Sequence, residues 1–289
     1  MGGMKMEIVK SVDWLKENLE NDSVRIIDCR FDLTNPDNGT DWYKEGHIPN
    51  SAYFHLENDL SNLISEHGGR HPLPDMEELV EKLEHIGIGP DTIVIAYDNG
   101  EGAFSGRFWW LLNYIGHPYT YILDGGYKEW IKKGYPITKE VSTFSKTTFT
   151  PVIQTHMMAT YEEVLAQVKA KKQDRILIDS REHKRYTGEI EPIDKKSGHI
   201  PGAINIIWTE GLKDGFFLST SEQKDRFSRL DSNKEYIVYC GSGITATPNY
   251  ISLKMAGLDK VKLYPGSFSD WISYEENEIE TCLPSKSEE

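Results

Sequence analysis

The sequence predicts an α/β protein with two similar domains, each a mainly parallel sheet covered by helices on both faces. The first reason is an internal repeat, because one series of motifs occurs twice in the same order, roughly 140 to 150 residues apart. The second reason is the alternation of short β-rich apolar runs with helical patterns in each half. Parallel strands need helical crossovers, so this alternation indicates sheets that lie between layers of helices.

Four motifs make up the repeat. An apolar strand ends in Asp-x-Arg at residues 28–30 and 179–181, and a Gly-His-Ile-Pro sequence follows at residues 46–49 and 198–201. The third motif is the end of a second apolar run, at Tyr97 and Tyr239. The fourth is a tryptophan five residues after a glycine, at Trp130 and Trp271. One active site does not need two copies, so we interpret the repeated histidines and tryptophans as residues that maintain the fold.

Helix signals occur between the strands. Val12–Glu20 has leucines on one face, and Asp75 is placed to cap a helix with leucines four residues apart. In the second half, Thr160 and Glu163 have the spacing of a capping box, in which each side chain accepts a hydrogen bond from the other residue's backbone N–H. We therefore expect helices to begin at all three positions.

The stretch from Thr138 to Thr155 is rich in Thr, Ser and Lys and has no periodicity, which is typical of a linker. We therefore expect an N-terminal domain at residues 1–140, a linker at 141–155 and a C-terminal domain at 156–289.

Composition narrows the class of function. The 289 residues have a formal net charge of −14, which argues against non-specific nucleic-acid binding. No apolar run has the length that spans a bilayer, and the first residues lack the apolar core of a signal peptide, so we expect a cytoplasmic protein that does not bind a membrane.

The three cysteines are too few and too scattered for a disulfide framework, and the nine histidines form no ligand-spaced cluster. We expect neither a metal nor an organic cofactor.

Cys240 is the candidate nucleophile, because the two copies differ there. Aligning the repeated strands places Asp98 opposite Cys240. The glycines after Cys240 permit tight curvature, and a helix is predicted over Thr247–Met255, so the turn should aim several backbone N–H groups at an ionised sulfur. Ser242 and Thr245 add hydroxyl donors. We call this arrangement of glycines and hydroxyl donors around an anion an anion cradle, and we expect the loop after Asp98 to lack one.

The other two cysteines receive simpler interpretations. Cys29 lies in a predicted strand and is interpreted as a small buried apolar residue. Cys282 lies near a polar tail and is interpreted as incidental.

The chain resembles the tandem-domain, rhodanese-like sulfurtransferases in three features. These are the repeat, the paired Gly-His-Ile-Pro motifs and the Cys-Gly-Ser-Gly-Ile-Thr-Ala loop at 240–246. The loop is similar to that of the 3-mercaptopyruvate sulfurtransferases, and it lacks the basic residues of thiosulfate-preferring rhodaneses. The resemblance implies a non-catalytic N-terminal domain, a catalytic C-terminal domain and a site in the cleft between them. It also implies a set of donor-binding residues, namely Arg181, Arg185, Gly241, Gly243, Ile244 and Thr245.

Within this set the two arginines differ in their repeat partners. Residues 31–34 of the first half hold no arginine to match Arg185, so Arg185 is the firmer candidate. Arg181 has Arg30 as its repeat partner, so a structural role for Arg181 stays open.

The resemblance extends to residues 70–74 and implies a proton relay. In the mercaptopyruvate enzymes a histidine and an acidic residue join the serine of the cysteine loop. His71 and Ser242 match two of these positions, and Glu57 stands where the family has an aspartate. The catalytic residues implied are therefore Cys240, Ser242, His71 and Glu57.

These features together predict an enzyme that moves a sulfur atom through a persulfide on Cys240. The donor is 3-mercaptopyruvate or another small anionic compound, and the acceptor is cyanide, a small thiol or a thioredoxin-like protein. One alternative is an enzyme that chiefly uses thiosulfate, and another is a non-catalytic sulfur carrier. A cysteine phosphatase or arsenate reductase is disfavoured, because those enzymes need an arginine where this chain has Ala246.

Overall fold

The computed structural model describes residues 7–170 and 175–283, which divide into two compact units. The first unit contains the described chain up to Leu63 together with Leu73–Thr155 and Leu212–Glu222. The second unit contains Ile64–Pro72, His156–Gly211 and the described chain from Gln223 onwards. Neither unit is one continuous stretch of sequence, and the expected linker at 141–155 belongs to the first unit.

The elements alternate along the chain as the sequence predicts. The strands are β1 (Val9–Lys10), β2 (Val24–Asp28), β3 (Ser51–Tyr53), β4 (Ile93–Tyr97), β5 (Thr120–Leu123), β6 (Arg175–Asp179), β7 (Ile204–Asn205), β8 (Leu212–Lys213), β9 (Phe216–Phe217), β10 (Glu235–Tyr239) and β11 (Val261–Leu263). The helices are α1 (Val12–Glu17), α2 (Asp37–Glu45), α3 (Met76–His85), α4 (Phe104–Tyr114), α5 (Gly126–Lys132), α6 (Tyr161–Ala170), α7 (His183–Thr187), α8 (Thr220–Arg226), α9 (Ala246–Met255) and α10 (Ser267–Trp271). Within the described ranges, none of these helices is long and apolar enough to cross a membrane.

Each unit is built on a parallel sheet, which confirms the predicted fold class. The first sheet has the order β1-β5-β4-β2-β3 and the second has the order β11-β10-β6-β7, with every neighbouring pair parallel. In the first sheet Asp28 lies opposite Tyr97, and in the second Asp179 lies opposite Tyr239. The two halves therefore have the same register at their central strands, and the alignment of Tyr97 with Tyr239 is confirmed.

Apolar side chains from strands and helices form a separate core in each unit. Buried members of the first core include Val12, Leu15, Ile26, Ile95 and Trp130. Buried members of the second include Val164, Leu177, Ile237, Phe268 and Trp271.

The predicted helix starts are confirmed by their caps. The Asp75 carboxylate accepts hydrogen bonds from the backbone N–H groups of Glu77 and Glu78 at the start of α3. Before α6, the Glu163 N–H donates to the Thr160 hydroxyl (3.3 Å) and the Thr160 N–H donates to the Glu163 carboxylate (3.1 Å), which completes the capping box. Helix α1 ends at Glu17, three residues before the predicted end.

The repeated histidines make the same contacts in both units. His47 stacks on Tyr43 with ring centroids 3.8 Å apart, and its Nδ1 lies 2.7 Å from the Tyr43 carbonyl oxygen. His199 stacks on Tyr186 at the same centroid distance, and its Nδ1 lies 2.7 Å from the Tyr186 carbonyl oxygen. Both histidines are buried. The structural interpretation of the Gly-His-Ile-Pro motif is confirmed.

The loop after β4 closes around the carboxylate of Asp98. The N–H groups of Gly100 and Gly102 donate to its Oδ1 at 2.9 and 3.0 Å, and those of Phe104 and Ser105 donate to its Oδ2 at 3.2 and 3.1 Å. The Ser105 hydroxyl also donates to Oδ2 at 2.9 Å. The expectation that this loop lacks an anion cradle is therefore wrong, because backbone N–H groups supply most of the donors.

The β8–β9 hairpin belongs to the first unit and contacts the end of β5 there. The Phe217 N–H donates to the Asp124 carboxylate at 2.9 Å, and the Gly125 N–H donates to the Gly215 carbonyl at 3.1 Å. Burial raises the pKa of Asp124 from 3.8 to about 6, although the N–H groups of Phe217 and Gly125 oppose that shift. Folding therefore favours the neutral form of this carboxyl group.

We predict that Asp124→Asn stabilises the protein at alkaline pH. The stabilising contribution of protonated Asp124 is present below about pH 4 and is lost as the pH rises through about 6, because the folded-state pKa is the higher one. Asparagine keeps the acceptor for the Phe217 N–H and carries no charge. The gain in unfolding free energy should be about 2 kcal/mol at pH 8 and should shrink towards pH 4.

Urea titrations at pH 5 and pH 8 measure this difference. Asp41→Asn removes a carboxylate that is 63% exposed in α2 and serves as the control, with little change expected at either pH. A destabilised Asp124→Asn protein at pH 8 would contradict the prediction.

Candidate active site

Cys240 follows β10 and is buried, with 1% of its surface exposed. The Gly243 N–H donates to its Sγ at 3.2 Å. Its own N–H donates to the Ser267 hydroxyl (3.1 Å), and its carbonyl oxygen accepts from the Phe268 N–H (3.0 Å). The sulfur therefore lies inside the turn, and the backbone that carries it is fixed by the residues that open α10.

The two glycines of this loop are needed for different reasons. Gly243 has φ of +76°, and a Cβ atom there would overlap the carbonyl oxygen of Pro265. At Gly241 an added Cβ would lie 2.7 Å from Nη2 of Arg70 and 3.4 Å from Nη2 of Arg185. Gly243 thus permits the tight turn, and Gly241 leaves room for two guanidinium groups next to Cys240.

Helix α9 begins at Ala246, one residue before the predicted start, and ends at Met255 as predicted. Thr245 is the residue before its first turn, and its hydroxyl makes no capping hydrogen bond. Ile244 is buried, and its carbonyl oxygen accepts from the Thr247 hydroxyl at 2.8 Å. The predicted donor-binding roles of Ile244 and Thr245 stay predictions.

Ser242 and His71, two members of the predicted relay, lie side by side. The Ser242 Oγ and the His71 Nδ1 are 2.8 Å apart, and both residues are buried. Both belong to the second unit. Glu57 is an exposed residue of the first unit, and its N–H donates to His55 Nδ1 at 3.1 Å, so its part in a relay stays a prediction.

Arg185 has its guanidinium group beside the cysteine loop. It forms a two-pronged pair with Glu191, from Nε and Nη2 at 3.1 and 2.8 Å, and its Nη2 also contacts Asp194 at 2.9 Å. The side chain is 17% exposed, whereas those of Glu191 and Asp194 are 4% and 2% exposed. Two nearly buried carboxylates therefore hold Arg185 in one orientation.

Arg181 is more deeply buried than Arg185, with 1% of its side chain exposed. Its guanidinium group pairs with Asp179 at 2.7 Å and Glu191 at 3.1 Å, and it donates to the Gly198 carbonyl oxygen at 2.6 Å. In the first unit Arg30 pairs with Asp28 at 2.6 Å and donates to the Gly46 carbonyl oxygen at 2.9 Å. This shared geometry favours the structural role that was left open for Arg181.

The structure adds three residues that the sequence analysis missed, namely Arg70, Glu191 and Asp194. Arg70 pairs with Asp194, so that the Asp194 carboxylate bridges Arg70 and Arg185. Burial lowers the pKa of the Arg70 guanidinium group, and the negative charge of Cys240 opposes that shift. A signal for Arg70 was present in the sequence, because it directly precedes His71. The two carboxylates had no comparable signal.

The remaining cysteines lie elsewhere. Cys29 comes directly after β2 and not inside it, and it is buried. Burial, together with the charge of Asp28, raises the pKa of its thiol well above the ordinary value, which favours the neutral form. Cys282 is exposed. In the described part of the chain, no group of three or more His, Cys, Asp or Glu residues is placed to hold a metal ion.

We predict that Gly243→Ala destabilises the second unit more than Gly257→Ala does. Both glycines have positive φ, +76° and +89°, but a Cβ at Gly257 meets no atom within 4 Å. Alanine at 257 therefore costs only backbone strain, about 1 kcal/mol, whereas alanine at 243 also overlaps Pro265 and should cost about 3 kcal/mol or more. Urea unfolding of both variants makes the comparison, and equal losses would show that Gly243 is not held against Pro265.

Comparison with known proteins places this site in a family. Residues 11–133 and 160–274 each match the rhodanese-like domain. A protein of Pseudomonas aeruginosa named "Probable 3-mercaptopyruvate sulfurtransferase" is 38% identical over 265 residues, which cover 90% of this chain and 93% of that protein. The thiosulfate sulfurtransferase of Mus musculus is 30% identical over 274 residues, which cover 91% of each chain.

A solved structure also matches most of this chain. SseA from Escherichia coli, described as a 3-mercaptopyruvate sulfotransferase, superposes with a TM-score of 0.81 at 29% identity. The match covers 91% of this chain and 100% of SseA. Since two domain matches span most of the sequence and these relatives match over nearly their whole length, the chain belongs to the rhodanese-like family and is a sulfurtransferase.

Proposed function

We propose that this sulfurtransferase works by a two-step transfer in which Cys240 carries the sulfur as a persulfide. The support is the position of Sγ at the end of β10, within 3.2 Å of the Gly243 N–H. A backbone N–H stabilises a thiolate, which is the reactive form of cysteine, and it would equally stabilise the terminal sulfur anion of a persulfide. The buried position shields the persulfide from other nucleophiles.

The donor that the site supports best is 3-mercaptopyruvate. The Cys240 thiolate attacks the donor's sulfur, a bond forms between the two sulfur atoms, and the carbon–sulfur bond breaks. Its electron pair stays on the departing three-carbon fragment as an enolate, which becomes pyruvate when it takes up one proton. This leaving group therefore needs a proton donor within the site.

The Ser242–His71 pair carries this proposal, because it is a buried hydroxyl–imidazole pair two residues from the nucleophile. The serine hydroxyl is placed to pass its proton to the leaving carbon and to recover one from the imidazole. Thiosulfate releases sulfite, whose charge needs no proton, so a thiosulfate enzyme would not require this pair. The similarity to the mouse thiosulfate sulfurtransferase keeps thiosulfate as the second candidate donor.

Arg185 is the proposed binding group for the donor's acid. Its Nη2 lies close to the empty side of Gly241, and a guanidinium group binds a carboxylate through paired hydrogen bonds. Arg181 shares Glu191 with Arg185, so we assign it a positioning role in place of direct donor contact.

In the second step a nucleophile attacks the outer sulfur of the persulfide. Cyanide leaves as thiocyanate and a thiol leaves as a new persulfide, and in both cases the Cys240 thiolate is restored. A thioredoxin-like protein belongs to the same chemical class of acceptor. A non-catalytic carrier would load sulfur without releasing it on repeated turnovers, so turnover separates the two possibilities.

We predict that incubation with 3-mercaptopyruvate adds the mass of one sulfur atom to the peptide that contains Cys240, and that cyanide removes it. Intact-protein and peptide mass spectrometry measure both steps. Cys240→Ser should abolish loading and turnover, whereas Cys282→Ser, which removes an exposed thiol, should change neither. Full turnover by Cys240→Ser would remove the cysteine from the mechanism.

We predict that Ser242→Ala lowers kcat for 3-mercaptopyruvate about 100-fold and changes kcat for thiosulfate by less than about fivefold. The reason is that only the first donor has a leaving group that needs a proton, and general acids contribute factors of this size. Steady-state rates with both donors measure the difference, and His71→Gln should show the same selectivity. Ser232→Ala, at an exposed serine of the same unit, is the control. Equal losses with both donors would argue for a merely structural pair.

A further inference from the structure

His71 reaches Ser242 from the segment Ile64–Pro72, which belongs to the second unit although the sequence places it between two parts of the first. The proposed proton transfer therefore depends on the contacts that hold this segment in place. Those contacts come from α10 and from the turn that follows it, which also belong to the second unit.

Two backbone N–H groups of the segment donate to side chains of this helix. The Gly68 N–H donates to the Asp270 carboxylate at 2.7 Å, and the Arg70 N–H donates to the Ser269 hydroxyl at 3.1 Å. Asp270 is 4% exposed, so its hydrogen bond to Gly68 is charge-assisted and shielded from water. Both bonds hold the chain itself and not only a side chain.

His67 adds a third contact at the start of the segment. Its ring stacks on Tyr274 with centroids 3.9 Å apart and an interplanar angle of 4°, and its Nδ1 lies 2.8 Å from the Ser273 hydroxyl oxygen. Tyr274 stacks in turn on Tyr161 at 3.8 Å, so His67 ends a row of three rings. We call the four residues that hold the segment the anchor residues, namely Ser269, Asp270, Ser273 and Tyr274.

Helix α10 holds the cysteine loop as well. The Phe268 N–H donates to the Cys240 carbonyl oxygen at 3.0 Å, and the Ser269 N–H donates to the Gly241 carbonyl oxygen at 2.9 Å. Ser242 is the next residue of that loop. The same short helix therefore fixes both partners of the Ser242–His71 pair relative to each other.

The two copies of the repeat differ at the anchor residues. The alignment of Trp130 with Trp271 places four charged residues opposite them, namely Lys128, Glu129, Lys132 and Lys133. The side chains of Lys128 and Lys132 are 75% and 76% exposed, and Glu129 pairs with Lys132 at 3.1 Å. A face that served only the fold would be needed in both copies, so the anchor residues indicate a task that the second unit alone performs.

We propose that the anchor residues position His71 for proton transfer, with the Asp270 carboxylate as the main contact. They would thereby make the enzyme selective for donors whose leaving group takes up a proton. Asp270 acts through the segment and not on the donor, so it is a positioning residue. This inference rests on the proposed function, since it names the residues on which the Ser242–His71 pair depends.

The test is the ratio of kcat for 3-mercaptopyruvate to kcat for thiosulfate. Asp270→Ala should lower this ratio about tenfold or more, because a misplaced proton donor slows only the first reaction. Asp270→Asn keeps an acceptor oxygen for the Gly68 N–H, so its ratio should stay within about threefold of the wild-type value. Glu129→Ala removes the carboxylate at the repeat position of the first unit and is the matched control, with a change below about twofold.

Hydrogen exchange gives a second readout that does not depend on activity. The amide hydrogens of Gly68 and Arg70 should exchange faster in Asp270→Ala and at the wild-type rate in Glu129→Ala, because only the first variant frees the segment. An unchanged exchange rate in Asp270→Ala would show that the carboxylate does not hold the segment.

A pair of glycine variants disturbs the same contact from the side of the segment. A Cβ atom at Gly69 would overlap the carbonyl oxygen of Gly266 at the start of α10, whereas one at Gly68 meets no atom closer than 3.7 Å. Both glycines have positive φ, so both alanine variants carry backbone strain. Only Gly69→Ala should lower the kcat ratio. This pair decides if Asp270→Ala does not fold, since Asp270 also accepts a hydrogen bond from the buried Tyr264 hydroxyl at 2.6 Å.

Two results overturn the positioning role. One is a wild-type kcat ratio in folded Asp270→Ala, whether or not both rates fall together. The other is equal ratios in Gly69→Ala and Gly68→Ala. Ser242→Ala separates this failure from a failure of the proposed function. If Ser242→Ala lowers the ratio and Asp270→Ala does not, only the positioning role is excluded. If Ser242→Ala leaves the ratio unchanged, the proposed proton transfer itself fails.

Discussion

In both halves of this protein, the residue after a central strand provides the acceptor for backbone N–H donors of the turn that follows, and a buried N–H requires such a partner. In the first unit the partner is the carboxylate of Asp98, which accepts four backbone hydrogen bonds and one from a serine hydroxyl. In the second unit the sulfur of Cys240 takes the equivalent place. A carboxylate there is chemically inert, whereas a thiolate is a nucleophile. In the proposed mechanism, this substitution between the copies replaces a structural anion with a reactive one.

The charges around the cysteine loop are arranged as an alternating network. Its members in order are Asp179, Arg181, Glu191, Arg185, Asp194 and Arg70. Buried charges are tolerated only when each is paired and hydrogen-bonded, and here every cation lies between carboxylates or against one. The innermost pair, Asp179 with Arg181, repeats the structural pair Asp28 with Arg30 of the first unit. The outer arginines, which have no such counterpart among these pairs, are the ones that face Gly241.

The loop joins three requirements that a sulfur transfer makes of its site. The sulfur needs a hydrogen-bond donor, which the tight turn at Gly243 provides. The donor's acid group needs fixed cations, and Gly241 leaves space for them. A carbanion leaving group needs a proton, and the hydroxyl of Ser242 is hydrogen-bonded to His71. In the proposed mechanism, consecutive loop residues therefore serve separate steps, because each lies beside a different neighbour.

The sequence by itself determined the repeat, the strand alignment, the helix starts at Asp75 and Thr160, and Cys240 as the point where the copies differ. These features depend on local periodicity, on capping and on comparison of one half with the other. Only the tertiary structure decided that Arg181 is buried in a structural pair and that Asp98 fills an anion cradle of its own. It also brought Arg70 to the cysteine loop from a position 170 residues earlier in the chain. The physical reason is that burial and hydrogen-bond direction depend on contacts between distant segments, and no local pattern records those contacts.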